Sequence, residues 1–182
     1  MNLPNWITIL RIVLIPFFIG LMLKYKETGL EYYRYYSILV FGIAVISDAV
    51  DGAIARIRHQ KTQLGALLDP LADKLLLLSA VLLLSVPIQG LAYLPVWIPV
   101  TFISRDFLLI LGAIVIYIHS QKLTVKPNLL GKITTCSQML TVIWILLQLP
   151  FPYLIWRSAG ILTILSGLVY LWQGSKQLNN VK

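Results

Sequence analysis

The chain has 182 residues, of which 58% are apolar and only 12% charged, and its mean hydropathy is +0.82. Soluble domains carry about 25% charged residues, so an ordinary soluble domain is excluded and an integral membrane protein is expected. The net charge of +8 suits anionic lipid headgroups, whereas nucleic acid is excluded as a partner because the basic residues divide between the two faces of the predicted bundle.

Apolar stretches of about 17 to 25 residues are long enough to cross a bilayer. They predict six helices, near 6–23, 37–55, 68–86, 94–118, 129–148 and 153–173. The expected fold is all-α: a polytopic bundle of six transmembrane helices forming a single domain over residues 1–182. The first helix opens with Asn2, Pro4 and Asn5, contains Arg11 and lacks a small-residue cleavage site after it, so it reads as a retained span and not a signal peptide. Pro16 and Gly20 predict a bend within it. A basic break follows at Lys24–Tyr36. The second helix ends in Asp48 and Asp51, and the third begins with Asp69 and Asp73. Pro99 stands near the start of the fourth helix and Arg105 further inside it. The fifth holds Lys132 and the chain's one cysteine, Cys136, which excludes an internal disulfide and is expected to be buried as a small hydrophobe. Pro150 and Pro152 separate it from the sixth.

Trp and Tyr residues concentrate at the segment ends, as an aromatic belt at the headgroup layer requires. With the amino terminus inside, the inner connections hold Arg56, Arg58, Lys61, Lys122, Lys126, Lys176 and Lys182, against Lys24, Lys26, Arg34 and Arg157 outside. The positive-inside rule then places both termini in the cytoplasm, and the expected location is a bacterial-type cytoplasmic membrane.

Asp48, Asp51, Asp69 and Asp73 supply four of the seven acidic residues within 26 positions. Carboxylates in hydrocarbon are costly unless compensated, so this cluster implies a bound cation. Offsets of three and four put each pair on one helix face, and a short loop makes the two helices antiparallel, so both pairs converge. Four hard oxygen donors with no His or Cys cluster suit Mg²⁺, Mn²⁺ or Ca²⁺, and two adjacent ions serve phosphoryl chemistry. Gly52 leaves room for a ligand against the helix, Gly65 does likewise, and Arg56 one turn beyond Gly52 suits a phosphate. The competing readings are a structural ion-pair network with Lys74, Arg105 or Arg11, and a cation transporter using the same carboxylates; neither requires Gly52 and Arg56 beside the acids.

The spacing D-x2-D-G-x2-A-R-x8-G-x3-D-x3-D, from Asp48 to Asp73, resembles the motif of the CDP-alcohol phosphatidyltransferases at every fixed position. The resemblance implies transfer of a phosphatidyl group from CDP-diacylglycerol to an alcohol with release of CMP. It also implies membrane lipids as surroundings and a homodimer. Carried over by residue, it implies that Asp48, Asp51, Asp69 and Asp73 surround two divalent ions, Mg²⁺ or Mn²⁺, and that Asp73 is the general base on the acceptor hydroxyl. Gly52, Arg56 and Gly65 would line the CDP-lipid site, joined by Asn5 and Thr8 from an amino-terminal element, Pro4-Asn5-x2-Thr8-x2-Arg11, that is similar to the family's own.

Arg11, Arg105 and Lys132 resemble acceptor-phosphate positions in the phosphatidylglycerophosphate synthases, which points to glycerol 3-phosphate as acceptor. For Arg105 the competing reading is an ion pair, for which adjacent Asp106, about 100° away around the helix, is not an obvious partner; for Lys132 it is snorkelling to the interface. The chain departs from that pattern at Ser104-Arg105-Asp106 and at Thr134, where a second lysine is usual. These departures resemble the CDP-alcohol type of cardiolipin synthase, which uses phosphatidylglycerol, and that enzyme is the alternative.

Overall fold

The computed structural model describes the backbone of residues 3–58, 63–120 and 129–179, and the side chains of residues 9–47, 71–112, 114–115 and 129–176. Among the described residues there are six helices and no strand: α1 (Leu3–Thr28), α2 (Glu31–Arg58), α3 (Gln63–Leu84), α4 (Trp97–Ser120), α5 (Leu129–Leu146) and α6 (Pro152–Asn179). They fall into two compact units, residues 1–93 with α1 to α3 and residues 94–182 with α4 to α6.

In the first unit α1 packs against both α2 and α3. Its buried residues Arg11, Ile15, Phe18, Met22 and Tyr25 recur at offsets of three and four, one stripe down a single face. Phe41 and Ala44 of α2 and Leu77, Ala80 and Leu84 of α3 are the corresponding buried residues on those helices, and the Phe18 and Phe41 rings meet at 5.5 Å. Pro16 does not end α1, which runs unbroken past it. The residues predicted as a loop at Lys24–Tyr36 are mostly helical, and the turn shrinks to Gly29 and Leu30. Capping explains the difference. Gly29, at φ +67°, donates its N–H to the Tyr25 carbonyl at 2.8 Å, a left-handed helix stop that glycine adopts without strain. The Thr28 hydroxyl donates back to the Lys24 carbonyl and accepts from Leu30 N, while Glu31 opens α2 with a negative charge where the helix dipole favours one.

In the second unit α6 packs against both α4 and α5. Trp97 of α4 meets Trp156 of α6 edge to face at 5.7 Å, and Gly160 lets the Trp97 ring approach, since a Cβ there would stand 2.8 Å from it. Gly112 serves Tyr170 in the same way: a Cβ would lie 2.7 Å from the ring, whose hydroxyl donates to the Leu109 carbonyl at 3.1 Å. Gly112→Ala is therefore expected to destabilise the purified protein by about 1–3 kcal/mol, the usual range for overpacking, read as a lower thermal midpoint. Cys136 is exposed and not buried as expected. Its position on α5 lies outside the stripe of Thr134, Gln138, Thr141 and Ile145 that faces the interior.

Two helices, α5 over Leu129–Leu146 and α6 over Pro152–Lys176, are long and apolar enough among the described residues to cross a membrane, where six spans were expected.

Candidate active site

Asp73 belongs to the same α3 face as Leu77, Ala80 and Leu84, so the face that builds the core of the first unit also delivers this carboxylate to α1. There it meets Arg11. Arg11 Nη1 donates to Asp73 Oδ1 at 2.5 Å, with the arginine side chain 0% and the aspartate 24% exposed. A charge-assisted bond from a fully buried guanidinium fixes the orientation of the carboxylate it holds. Arg11 had been expected at the acceptor's phosphate; the structure places it against the predicted general base.

Asp69 lies one helical turn before Asp73 in α3, and Asp48 and Asp51 lie in the carboxyl-terminal half of α2. The side chains of Asp48, Asp51 and Asp69 are outside the described residues, as are those of Asn5, Thr8, Gly52, Arg56 and Gly65. No group of three or more potential metal-ligating side chains occurs among the described residues. Of the predicted donor set, Asp73 is the member whose surroundings are described: its carboxylate is partly open and accepts from Arg11.

Arg105 organises the polar interior of the second unit. It is 6% exposed, and its Nη2 donates to Ser166 Oγ of α6 at 3.2 Å. Its Nη1 pairs with Asp106 Oδ1 at 2.9 Å, contrary to the expectation that Asp106 points away. The 100° separation applies where the side chains leave the helix; a guanidinium four bonds further out bends back to reach its neighbour, and partial burial favours doing so. Gly131 of α5 admits the guanidinium, because a Cβ there would stand 3.1 Å from Nη2. Lys132, next in sequence, is exposed.

Thr134, the departure noted where a lysine is usual, is fully buried, its hydroxyl donating to the Leu130 carbonyl at 2.8 Å with the Leu162 carbonyl at 3.4 Å. A lysine would need to leave that seam to keep its charge solvated. Gln138 Nε2 donates to Thr163 Oγ1 at 3.0 Å, and both residues are fully buried. Sequence reasoning weighed Asp106 and set it aside, and it missed Thr163 and Ser166. The available signal was spacing: Thr163, Ser166 and Tyr170 share one face of α6 at offsets of three and four.

The CDP-alcohol phosphatidyltransferase family model matches residues 1–172, and thus extends through both units. The chain is 34% identical to the CDP-diacylglycerol–glycerol-3-phosphate 3-phosphatidyltransferase of Bacillus subtilis (strain 168), covering 98% of this chain and 99% of the relative. It is 30% identical to the enzyme of the same name from Escherichia coli (strain K12), over 94% of this chain and 90% of that one. A probable phosphatidylglycerophosphate synthase of Mycobacterium tuberculosis (strain H37Rv) is also 30% identical, over all of this chain and 85% of its own length. With the aspartate motif intact from Asp48 to Asp73 and the match running nearly end to end, the chain belongs to the CDP-alcohol phosphatidyltransferase family.

Proposed function

We propose that this enzyme transfers the phosphatidyl group of CDP-diacylglycerol to glycerol 3-phosphate, giving phosphatidylglycerophosphate and CMP in phospholipid biosynthesis. The observation that carries the reading is the near end-to-end similarity, at 34% identity, to a relative named for that reaction. The burial of Arg105 supports it, because an anionic acceptor needs a cationic group out of bulk water.

In this reading Asp73, oriented by Arg11, accepts the proton of the acceptor hydroxyl. The hydroxyl oxygen forms its bond to the phosphatidyl phosphorus as the bond from phosphorus to the CMP oxygen breaks, and CMP carries away the electron pair. No Ser or Cys stands within the motif as a nucleophile, which favours one direct displacement. Asp48, Asp51, Asp69 and Asp73 would hold two divalent ions, Mg²⁺ or Mn²⁺. When bound, such ions neutralise the diphosphate oxygens and stabilise the departing CMP. Gly52, Arg56, Gly65, Asn5 and Thr8 would line the CDP-lipid site, and Lys132 would add positive charge on the acceptor side.

Residues 1–182 form one transferase domain crossing the membrane six times, both termini and the active site in the cytoplasm. Support comes from exposed apolar side chains along α4, such as Phe107, Ile110 and Ile114, which suit lipid, and from exposed Tyr32, Tyr36, Trp97 and Trp172 near helix ends, which suit the headgroup layer.

An acceptor panel tests the proposal. Purified protein with CDP-diacylglycerol and Mg²⁺ is expected to release CMP with glycerol 3-phosphate and to yield phosphatidylglycerophosphate. Product from phosphatidylglycerol alone would make it a cardiolipin synthase, and CMP release from neither by folded protein would sink both readings. Chelation by EDTA is expected to remove activity and Mg²⁺ or Mn²⁺ to restore it. Activity that survives exhaustive chelation would remove the metals from the scheme.

A further inference from the structure

Arg105 stands two turns into α4 with its three nitrogens in different circumstances. Nη1 is taken by Asp106 at 2.9 Å and Nη2 by Ser166 at 3.2 Å, while Nε is buried with no hydrogen-bond partner among the described residues. Gly131 lets α5 come close to the guanidinium, since a Cβ there would lie 3.1 Å from Nη2. An anion reaching this guanidinium finds an idle donor and also a carboxylate already in residence. Carboxylate and phosphate present the same kind of oxygen pair to a guanidinium fork and compete for it.

We propose that Asp106 is an internal counter-anion that competes with the acceptor's phosphate for Arg105, and so sets how tightly this enzyme holds an anionic acceptor. The side chain of Asp106 is 22% exposed against 7% for Arg105, so Asp106 is the partner able to give way when a phosphate arrives. Without a phosphate it keeps the buried guanidinium from standing as an unpaired charge. With a phosphate present its negative charge, held close by, weakens the ligand's grip. The proposal rests on the reading of the acceptor as an anion given above. It adds that affinity is restrained by a residue of the chain itself, so that a neutral residue at position 106 tightens binding.

The test uses the full-length protein in lipid nanodiscs, with inorganic phosphate as probe at constant ionic strength. Phosphate affinity is read from the shift in thermal midpoint, and acceptor KM and kcat from CMP release. Asp106→Asn is expected to bind phosphate about tenfold more tightly than the wild type, a factor worth about 1.4 kcal/mol. KM for glycerol 3-phosphate should fall by a similar factor, with kcat changing less. Asp106→Ser should act like Asp106→Asn, and Asp106→Glu, which keeps the charge, should stay within about threefold of wild type. This pair carries the test if Asp106→Asn does not fold.

In an Arg105→Met background the gain from Asp106→Asn should vanish, which a merely structural role for Asp106 would not predict. Equal or weaker phosphate binding in both neutral variants overturns the proposal and makes Asp106 a support for the guanidinium. If wild-type protein makes no product from glycerol 3-phosphate yet the phosphate result holds, the acceptor assignment fails and the counter-anion stands.

Discussion

Asp73→Asn is expected to lower CMP release by about 10²–10⁴-fold, the usual worth of a positioned general base, while CDP-diacylglycerol binding weakens far less. The asymmetry follows from the geometry. Asparagine keeps the shape of the side chain and an oxygen for Arg11 Nη1, so the contact between α1 and α3 survives in outline. An amide takes up no proton at neutral pH, so the acceptor hydroxyl loses its base. Turnover under saturating acceptor and a direct measurement of CDP-lipid affinity check the two halves separately. Parallel loss of both would reduce Asp73 to a simple ligand.

Arg11→Met is the second large effect, expected mainly in stability. Arg11 is fully buried in the stripe that continues through Ile15, Phe18, Met22 and Tyr25, and its partner Asp73 is about three-quarters buried. Removing one member of a buried pair typically costs about 3–5 kcal/mol, because the remaining charge has lost its compensation; the lower end applies here, since Asp73 is partly open to solvent. Thermal or SDS-induced unfolding in mixed micelles reads the loss. Arg11→Lys separates this role from the one expected on sequence grounds. A lysine retains the charge without the planar fork, so a residue that orients Asp73 should show a fall in kcat with a smaller loss of stability. A residue that grips the acceptor's phosphate should instead show a raised KM for glycerol 3-phosphate with stability intact.

The number of helices and their centres were legible because apolar runs in this chain are long and punctuated by Pro, Gly and charge. Their ends were less so. The loop expected at Lys24–Tyr36 contracted to two residues because capping by Gly29, Thr28 and Glu31 extends both helices through sequence rich in charged residues and tyrosine. Cys136 was misread for a related reason: residue type suggests burial, but the register of α5 turns that position outward.

By itself the sequence determined the helical class and the family. Each depends on residue type and short-range spacing: apolar length, the offsets of three and four between aspartates, and Gly52 and Arg56 set among them. Only the tertiary structure decided which charges meet. Arg11 and Asp73 lie 62 residues apart, and their pairing exists because the buried stripes of α1 and α3 bring them together. Arg105 is shared between its sequence neighbour Asp106 and Ser166, 61 residues away on α6, beneath a gap left by Gly131. Spacing along a helix places a charged side chain on a face, but the partner it finds is set by which helix packs against that face and by how much water the packing leaves.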